Sequence, residues 1–574
     1  MHPFNRALAF AALLITCSAQ AQWTFEGDTS ATWQQAIARY QRMDSLYTGA
    51  QLTVIGRDDD GHPIHLFILS DGSGFTPDSI RASGKNILWV TNGIHPGEPD
   101  GIDASLMLAQ ALLDSDQLMG LLANTAVCIV PVYNVSGAIN RGGHSRVNQD
   151  GPVEYGFRGN AKNLDLNRDF MKMDSRNMQA MARALAKWDP DIYFETHVSD
   201  GADHRYIMAL MATQKNKLAP PLAAFMSGTL IPGQYQWMEG KGSAMCPYFE
   251  LLGTTPAEGL YGFYDSPRYS SGYNALFDRI SIISESHVLK PYADRVNATF
   301  QLLLGTLAVM DINPEELRQA RDQARRYTST AKEFGMNWTL DRTAVDSLRW
   351  KGYVARTEKS TVTGLPRIRY DHEAPEDITL AWFDTYRPSL HVIKPKAYLV
   401  AKQWEGVIQR LEWSGVPLTV VARDGKRMVE QDSIVDFTTV PMAYEGHYLH
   451  GRINTVRTVK QVPVHAGDVL VPMGHATDRY VMEALECRAE DGFFAWNFFD
   501  GVLQQKEWFN DYVFEDIAAG MLQRDPVLKA AFEQKRAEDP AFAASAWDQL
   551  TWLYRRSPWM EPGYRKYPVL RVMD

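Results

Sequence analysis

The chain contains little cysteine: only Cys17, Cys128, Cys246 and Cys487 occur among its 574 residues. Four widely separated cysteines exclude a disulfide-rich scaffold and a zinc finger built from cysteine. Any metal site in this protein therefore has to be built from histidine and carboxylate side chains.

The chain also lacks an excess of basic residues. Its 58 Lys and Arg are outnumbered by 68 Asp and Glu, which gives a net charge of −10. Nucleic-acid-binding proteins usually carry a basic surface or stripe, so this composition argues against a nucleic-acid partner. Apolar residues make up 45% of the chain and charged residues 22%, which is the usual mixture of a globular protein.

The N-terminus has the pattern of a secretory signal peptide over residues 1–21. Arg6 precedes an apolar run, and Ala19-Gln20-Ala21 forms a cleavage site of the small-x-small type. The run is too short to span a membrane, which takes ~20 apolar residues, and no later stretch is long enough either. We predict export to the periplasm or the medium after cleavage near Ala21; lipid attachment at Cys17 and a buried N-terminal helix are the alternatives.

Signal cleavage would remove Cys17 and leave an odd number of cysteines, so that at least one thiol stays unpaired within the chain. Cys128 lies in a predicted apolar core strand. Cys246 and Cys487 are therefore the remaining candidates for one disulfide.

From about residue 50 to 310, apolar runs of strand length alternate with helical patterns. Four buried strands are predicted, at 86–94, at 125–135, from Ile192 onward and at 280–284. Near-continuous apolar strands between helices predict an α/β fold, with a mixed, mostly parallel sheet flanked by helices.

The rest of the chain has a different pattern. A helix is predicted to start at Asn313-Pro314-Glu315-Glu316, with the charged segment Arg318–Arg326 as its solvated face. Short alternating strands predict a smaller β-rich accessory region, and later aromatic segments predict helices. The predicted organisation is a signal peptide, a main domain, a helical linker, the β-rich region and a helical C-terminal region, at residues 1–21, 22–310, 311–345, 346–480 and 481–574.

Histidine and glutamate stand at the ends of three predicted strands. His95 and Glu98 follow the first of the four strands, His197 follows the third and Glu285 follows the fourth. Ligand sites in α/β sheets lie at the carboxyl ends of the strands, so we expect these side chains at one rim. Two imidazoles and one carboxylate form a catalytic zinc set that leaves a position for water. A further carboxylate can then accept a proton from that water.

The same residues resemble the zinc carboxypeptidase family typified by carboxypeptidase A. His95 and Glu98 match its H-x-x-E loop, and His197 follows about a hundred residues later, as in the family. The segment Arg158–Arg168 is similar to the Arg and Asn-Arg segment that the family carries between them. Glu285 matches the general-base position. The resemblance covers roughly residues 30–310, and the later part resembles a C-terminal extension of some bacterial members.

The resemblance implies an exported zinc-dependent carboxypeptidase that holds one zinc ion per chain. His95, Glu98 and His197 would be the metal ligands. Glu285 would take a proton from the zinc-activated water and pass it to the leaving amine. Residues 22–310 would then be the catalytic domain.

The implied substrate is a peptide with a free C-terminal carboxylate. Arg158 would stabilise the oxyanion that forms as water attacks the carbonyl, with Arg141 and Arg146 as alternatives. Asn167 and Arg168 would bind the terminal carboxylate, since arginine offers a planar bidentate fork.

Two further features of the family are assigned with alternatives. The tyrosine on a loop ahead of the general base is assigned to Tyr269 for substrate binding, and Tyr264 and Tyr273 compete for this place. The side-chain preference is expected to be set between residues 265 and 284. That segment offers Asp265, Arg268, Asn274 and Asp278.

Two other functions use the same residues. A related zinc amidase or deacylase that acts on cell-wall peptides would share the metal site. A catalytically silent binding module is the third hypothesis, and the presence of Glu285 argues against it, because such modules usually lose the general base. Asp103 and Glu195 are candidates for orienting the metal-binding imidazoles.

Overall fold

The computed structural model describes residues 23–573. The predictions of a signal peptide over 1–21, of cleavage near Ala21 and of lipid attachment at Cys17 therefore lie outside the described residues. Within the described part, no helix combines the length and the hydropathy that crossing a membrane requires.

A mixed eight-stranded sheet forms the centre of the first half of the chain. Its strands have the spatial order β1-β2-β4-β3-β5-β10-β6-β7. The central strands β4, β3, β5 and β10 run parallel, and antiparallel pairs occur at β1–β2, β2–β4 and β10–β6. The first ten strands are β1 (Ala50–Arg57), β2 (Pro63–Leu69), β3 (Asn86–Thr91), β4 (Thr125–Val130), β5 (Ile192–Ser199), β6 (Met208–Ala212), β7 (Met245–Pro247), β8 (Glu250–Leu251), β9 (Leu260–Tyr261) and β10 (Ile280–His287).

Both faces of this sheet are covered. Leu88 and Val90 of β3 pack into one apolar core, and the alternate residues Ile87 and Trp89 pack into another. Because both faces are buried, the central strands are apolar throughout, and the predicted α/β fold class is confirmed. The helices of this half are α1 (Trp33–Leu46), α2 (Pro77–Ala82), α3 (Asp100–Asp114), α4 (Asp116–Met119), α5 (Val135–Ile139), α6 (Arg176–Trp188), α7 (Pro220–Phe225), α8 (Ile231–Gly240), α9 (Ser270–Ala275), α10 (Tyr292–Ile312) and α11 (Pro314–Thr330).

The boundaries of helix α6 follow from its sequence. Ser175 caps its start, because the Ser175 side chain accepts a hydrogen bond from the backbone N–H of Met178. The helix ends where Asp189 adopts a left-handed conformation with φ of 47°. Met178, Met181 and Leu185 lie on its buried face, so this helix carries the chain back to the start of β5.

A β-rich region follows the main sheet, as predicted. Strand β13 also pairs with β9 of the first half, so the two halves share a sheet. The remaining strands are β11 (Glu333–Leu340), β12 (Asp346–Lys359), β13 (Pro366–Phe383), β14 (Tyr386–Ile393), β15 (Ala397–Val400), β16 (Thr419–Val420), β17 (Gly425–Thr439), β18 (His450–Val464), β19 (Val469–Pro472) and β20 (Leu570–Val572). The remaining helices are α12 (Glu405–Trp413), α13 (Asp478–Leu485), α14 (Asp511–Arg524), α15 (Pro526–Glu538), α16 (Pro540–Ala543) and α17 (Ala546–Tyr554).

The accessory region is joined to the main sheet by a common core. Trp89 and Tyr133 of the first half belong to the same buried cluster as Tyr480, Phe494 and Trp496. At the end of the chain, β20 lies between β15 and β17 in a six-stranded sheet. The β-rich and the C-terminal segments therefore fold as parts of one structure.

The prediction that Arg318–Arg326 forms a solvated helix face is wrong for Arg321. This side chain is only 3% exposed. Its guanidinium lies 2.7 Å from Asp191 and 2.6 Å from Asp189, two carboxylates at the connection between α6 and β5. The helix thus anchors itself to the sheet by buried ion pairs, which a count of charged residues does not reveal.

The expected disulfide is absent from the described residues. Cys128, Cys246 and Cys487 are all free and buried. Burial raises the pKa of each thiol above its usual value. Cys246 lies in β7 at the edge of the main sheet, and Cys487 follows α13, so the two thiols occupy different parts of the fold.

Candidate active site

The predicted residues meet at the carboxyl ends of β3, β5 and β10. His95 and Glu98 lie in the turn between β3 and α3, and His197 lies near the end of β5. In the parallel pairing of β5 with β10, Glu285 is the direct partner of His197. Chain topology therefore places four polar side chains at one rim, as expected for an α/β sheet.

His95, Glu98 and His197 form a compact, buried cluster. One nitrogen or oxygen atom from each lies within 4.8 Å of those of the other two. Glu98 is 3.0 Å from His197 Nδ1 and 3.3 Å from His95 Nδ1. His95 Nδ1 is buried and makes no hydrogen bond within the described part of the chain. This buried nitrogen has no hydrogen-bond partner and faces a carboxylate and a second imidazole. Such an arrangement fits a zinc ligand set.

The opposite nitrogen of each imidazole has its own partner. His95 Nε2 lies 2.9 Å from Asp165 Oδ1. His197 Nε2 lies 3.4 Å from the Asn167 amide and 3.6 Å from Glu195 Oε2. These contacts direct the Nδ1 atoms of both rings toward Glu98, which is the usual role of the outer partners of metal ligands.

The orienting partner of His95 is therefore Asp165, and not Asp103. The Asp103 carboxylate instead accepts hydrogen bonds from the Tyr292 hydroxyl and the Ala31 backbone. Asp165 stands inside the Arg158–Arg168 segment that carries the resemblance to the family. Its position in that segment is the signal in the sequence from which Asp165 could have been found.

Glu98 lies in a strongly positive environment. Arg146 Nη1 is 2.9 Å from its carboxylate and Arg158 Nη1 is 3.5 Å away. Burial by itself would raise the pKa of Glu98, but Arg146 and His95 hold it well below its usual range. The Glu98 carboxylate is therefore ionised, as a metal ligand has to be.

The Glu285 carboxyl has the opposite balance. It is 8% exposed, and burial raises its pKa to about 8 against the opposing effect of His197, with the negative charge of Glu98 adding to the rise. A carboxyl group with a pKa near neutrality is suited to accept and return a proton.

The predicted anion-binding residues are held by their own contacts. Arg158 donates from Nε to Asp165 Oδ2 at 2.9 Å and is half-exposed toward the pocket. The 3-10 turn Leu166–Arg168 presents Asn167 and Arg168 together, and the Arg168 guanidinium lies 4.4 Å above the centre of the Tyr269 ring.

All eight predicted site residues line one pocket of about 320 Å³, which we call the rim pocket. Arg146 also lines it, whereas Arg141 bonds to Ser30 outside it. Of the tyrosine alternatives, Tyr264 bonds to Glu490 and Tyr273 is buried in the core, and neither lines this pocket. Lining residues that sequence reasoning missed are Val198, Ser199, Asp200, Met211, Tyr248, Glu250 and Phe263.

The comparisons with known proteins agree with this site. The family model described as zinc carboxypeptidase matches residues 40–204. Carboxypeptidase 2 of Trichophyton rubrum is 22% identical over 461 residues, which are 76% of this chain and 78% of that protein.

Solved structures with some similarity are also carboxypeptidases. A putative carboxypeptidase A from Shewanella denitrificans shares 17% identity at a TM-score of 0.39, over 50% of this chain and 70% of its own. A metallo-carboxypeptidase from Pseudomonas aeruginosa, solved with (2-guanidinoethylmercapto)succinic acid, shares 17% identity at a TM-score of 0.38 over the same shares.

The class of protein is thus a metallohydrolase. Residues 40–204 match the zinc carboxypeptidase family model, the family that the sequence resembles. The segment matched by the family model contains the whole His95, Glu98 and His197 cluster, together with Arg158 and the Asn167–Arg168 pair. Glu285 and Tyr269 lie outside that segment and join it through the fold.

Proposed function

We propose that this protein is an exported zinc-dependent metallocarboxypeptidase that releases the C-terminal residue of a peptide. The observation that carries the proposal is the meeting of three features in the rim pocket. They are a buried metal-ligand cluster, a carboxyl group with a pKa near neutrality and an arginine-rich wall. An exopeptidase needs all three, because it must hold a terminal carboxylate next to the bond that it hydrolyses.

His95, Glu98 and His197 would hold one zinc ion per chain. Bound there, zinc would supply a Lewis acid that polarises the scissile carbonyl and acidifies water. Asp165 and Glu195 would orient the two imidazoles by facing their Nε2 atoms, through the contacts at 2.9 and 3.6 Å.

Glu285 would be the general base. Its carboxylate would accept a proton from the attacking water and then deliver that proton to the nitrogen of the leaving residue. The buried position next to His197 supports this role, because a carboxylate with a raised pKa binds the proton firmly enough to carry it between the two atoms.

The arginines would bind the charges of the substrate. Arg158 would stabilise the oxyanion that develops on the scissile carbonyl. Asn167 and Arg168 would bind the terminal carboxylate, with Tyr269 packed against the Arg168 guanidinium. The free peptide carboxylate is therefore the part of the substrate that this wall is proposed to recognise.

A product assay on a C-terminally diverse peptide library tests the proposal. We expect release of single C-terminal residues, loss of this release with a chelator and recovery with zinc. Peptides with an amidated C-terminus are the matched control and should be poor substrates. Release of acyl groups or of cell-wall fragments instead would identify the amidase or deacylase, and chelator-resistant hydrolysis would contradict the metal assignment.

The variant Glu285→Gln tests the proton transfer. It removes the basic oxygen but keeps the size of the side chain, so we expect turnover to fall by about 10²–10⁴-fold. Zinc content, measured by elemental analysis, should stay at one ion per chain. Hydrolysis at the parent rate would show that Glu285 is not the base.

Export rests on the signal-like pattern of residues 1–21. N-terminal sequencing of the protein from the periplasm or the medium should find a chain that begins near Gln22. An uncleaved cytoplasmic protein would contradict export, and a lipid-modified N-terminal Cys17 would favour the lipoprotein alternative.

A further inference from the structure

The accessory region contributes most of a separate cavity, which we call the accessory cavity. It encloses about 430 Å³, more than the 320 Å³ of the rim pocket, and the two share no lining residue. It lies between β11, β14, the start of β18, the turn after α13 and the segment before α9. Sites for small organic molecules typically have volumes of this order, so the accessory cavity is large enough for a ligand of its own.

Three arginine side chains line the accessory cavity, and two of them are unpaired. Arg268 forms an ion pair with Asp491 at 2.7 Å. Arg452 and Arg488 are exposed, and within residues 23–573 their side chains form no hydrogen bond and no ion pair. The planar fork of a guanidinium group matches carboxylate and phosphate groups. Two arginines of the accessory cavity are therefore available to bind an anion.

The backbone around these arginines is held in an unusual conformation. Arg452 has a φ of 48° and Asn337 a φ of 53°, in the left-handed region that few residues other than glycine adopt. The Asn337 amide donates to the Arg488 carbonyl at 2.8 Å, and its oxygen accepts from the backbone N–H of Glu490 at 3.0 Å. The turn that carries Arg488 is thus held against β11. Backbone strain of this kind is concentrated at functional sites.

The other ionisable groups of the lining do not cancel the positive charge. Glu490 is the carboxyl group of the lining, and the Tyr264 hydroxyl donates a hydrogen bond to it. Burial raises the pKa of Glu490 to about 7, so it is only partly ionised near neutral pH. His450 faces Asp500 at 3.0 Å. Three guanidinium groups therefore outweigh one carboxyl group in this cavity.

The remaining lining suits a ligand with hydroxyl groups and C–H surfaces. Asn454 is exposed, and its amide has no hydrogen-bond partner in the described part of the chain, so it can both donate to and accept from hydroxyl groups. Leu390, Leu449 and Ile453 supply apolar surface. A bare phosphate or carboxylate ion would fill only a small part of this space, so we expect the anionic group to belong to a larger molecule.

We propose that the accessory cavity is a binding site for an acidic carbohydrate, which is a sugar that carries a phosphate or a carboxylate group. Arg452 and Arg488 would bind the anionic group, and Asn454 would bind hydroxyl groups of the sugar. The same arginine chemistry serves both anions, so the experiment has to distinguish them. The site does not depend on the proposed carboxypeptidase function, because no residue of the rim pocket takes part in it.

Isothermal titration calorimetry on the full chain tests the proposal with four probes. Glucose 6-phosphate carries the phosphate and glucuronate the carboxylate, whereas glucose and inorganic phosphate each lack one half of the ligand. We expect a Kd of about 1 mM or tighter for at least one acidic sugar, and the tighter of the two identifies the anion. Glucose and inorganic phosphate should both bind at least about tenfold more weakly than that sugar.

Two single variants assign the binding to the accessory cavity. Arg452→Gln and Arg488→Gln each remove one charged fork, so each should weaken binding of the acidic sugar at least about tenfold. Arg427→Gln removes an exposed arginine of β17 outside the lining and should bind like the parent. Arg268 is left intact, because its neighbour Tyr269 packs against Arg168 in the rim pocket. Thermal unfolding should be close to the parent for all three variants.

The rim pocket also carries arginines, so the ligand could bind there instead. Peptide hydrolysis by the parent protein in the presence of the acidic sugar decides this point, and KM should stay unchanged. Binding that is equal in the parent, Arg452→Gln and Arg488→Gln, or a KM that rises with the sugar concentration, would overturn the site. Failure of both acidic sugars to bind, or equally tight binding of glucose or inorganic phosphate, would overturn the ligand class. If the protein hydrolyses no peptide, the proposed function fails, and calorimetry alone still decides about the accessory cavity.

Discussion

At the scale of single residues, the site is shaped by the side chains that contact the Nε2 atoms of His95 and His197. His95 presents Nδ1 to the cluster because Asp165 occupies its other nitrogen. Asp165 also receives Arg158 at 2.9 Å and the backbone N–H of Asn167. One carboxylate therefore orients the His95 imidazole, holds Arg158 and shapes the turn that presents Asn167 and Arg168.

Asp165→Asn should weaken zinc binding. The amide keeps the shape but loses the charge that favours the His95 imidazole as a donor, so we expect a 10–100-fold loss of zinc affinity. Competition with a chelating dye measures this directly. Asp516→Asn, on the exposed surface of α14, is the matched control and should bind zinc like the parent. Equal affinities of both variants would show that Asp165 does not position the ligand.

At the scale of elements, α13 and the turn after it carry buried carboxyl groups. Glu483 is 6% exposed, and burial, with the neighbouring negative charge of Glu490 adding to it, raises its pKa to about 8. Burial likewise raises the pKa of Glu490 to about 7, with Asp491 adding to the rise. The Tyr264 hydroxyl donates a hydrogen bond to Glu490, which places this turn where the C-terminal region meets the main domain.

This packing makes stability depend on pH. Between the unfolded pKa of about 4.5 and the folded pKa of about 8, the folded state binds more protons at Glu483 than the unfolded state does. The free energy of unfolding should therefore fall as the pH rises from about 5 to 8. Glu483→Gln should flatten this decline and be more stable than the parent at pH 8, by about 1–3 kcal/mol.

Denaturant unfolding at several pH values provides the measurement. Glu533→Gln on the exposed face of α15 serves as the control, because this glutamate stays in water and should leave the pH dependence unchanged. A decline of the same steepness in the parent and in Glu483→Gln would assign the effect to other groups.

At the scale of the whole molecule, the accessory region completes both the core and the site. Glu445, in the segment between β17 and β18, accepts a hydrogen bond from the backbone N–H of Asp165 at 2.8 Å. One buried cluster runs from Trp89 in the main sheet to Tyr480 and Trp496 in the accessory region. This core crosses the domain boundary that the sequence predicts near residues 310–345.

A chain truncated after residue 345 should therefore not fold as an independent domain. It would expose the apolar surface that the accessory region covers, so we expect aggregation and loss of cooperative unfolding. A chain in which a short Gly-Ser linker replaces residues 508–560 is the control. Helices α14–α17 pack in a core of their own, and the residues that flank them are in contact through Lys506 and Glu561. Circular dichroism with thermal melting distinguishes the two, and a stable truncated chain would contradict the shared core.

The strand pattern and the motif at its ends were readable from the sequence. Apolar runs of strand length occur where both faces of a sheet are buried, and the polar residues that follow them must lie at the rim, so His95, Glu98, His197 and Glu285 were predictable. Arg158, Asn167 and Arg168 were predictable through the family resemblance. The segment Arg158–Arg168 also contains Asp165, but the sequence does not show that this carboxylate contacts His95.

Only the tertiary structure decided the rest, because those features depend on contacts between residues far apart in the chain. Arg321 looks like a surface residue until Asp189 and Asp191 are placed beside it. Tyr248, Glu250 and Phe263 come to the rim pocket through the tertiary fold alone. Because the chain has only four widely separated cysteines, any metal site had to be built from histidine and carboxylate side chains. The folding of the segment from β6 to β10 decided which further side chains surround that site.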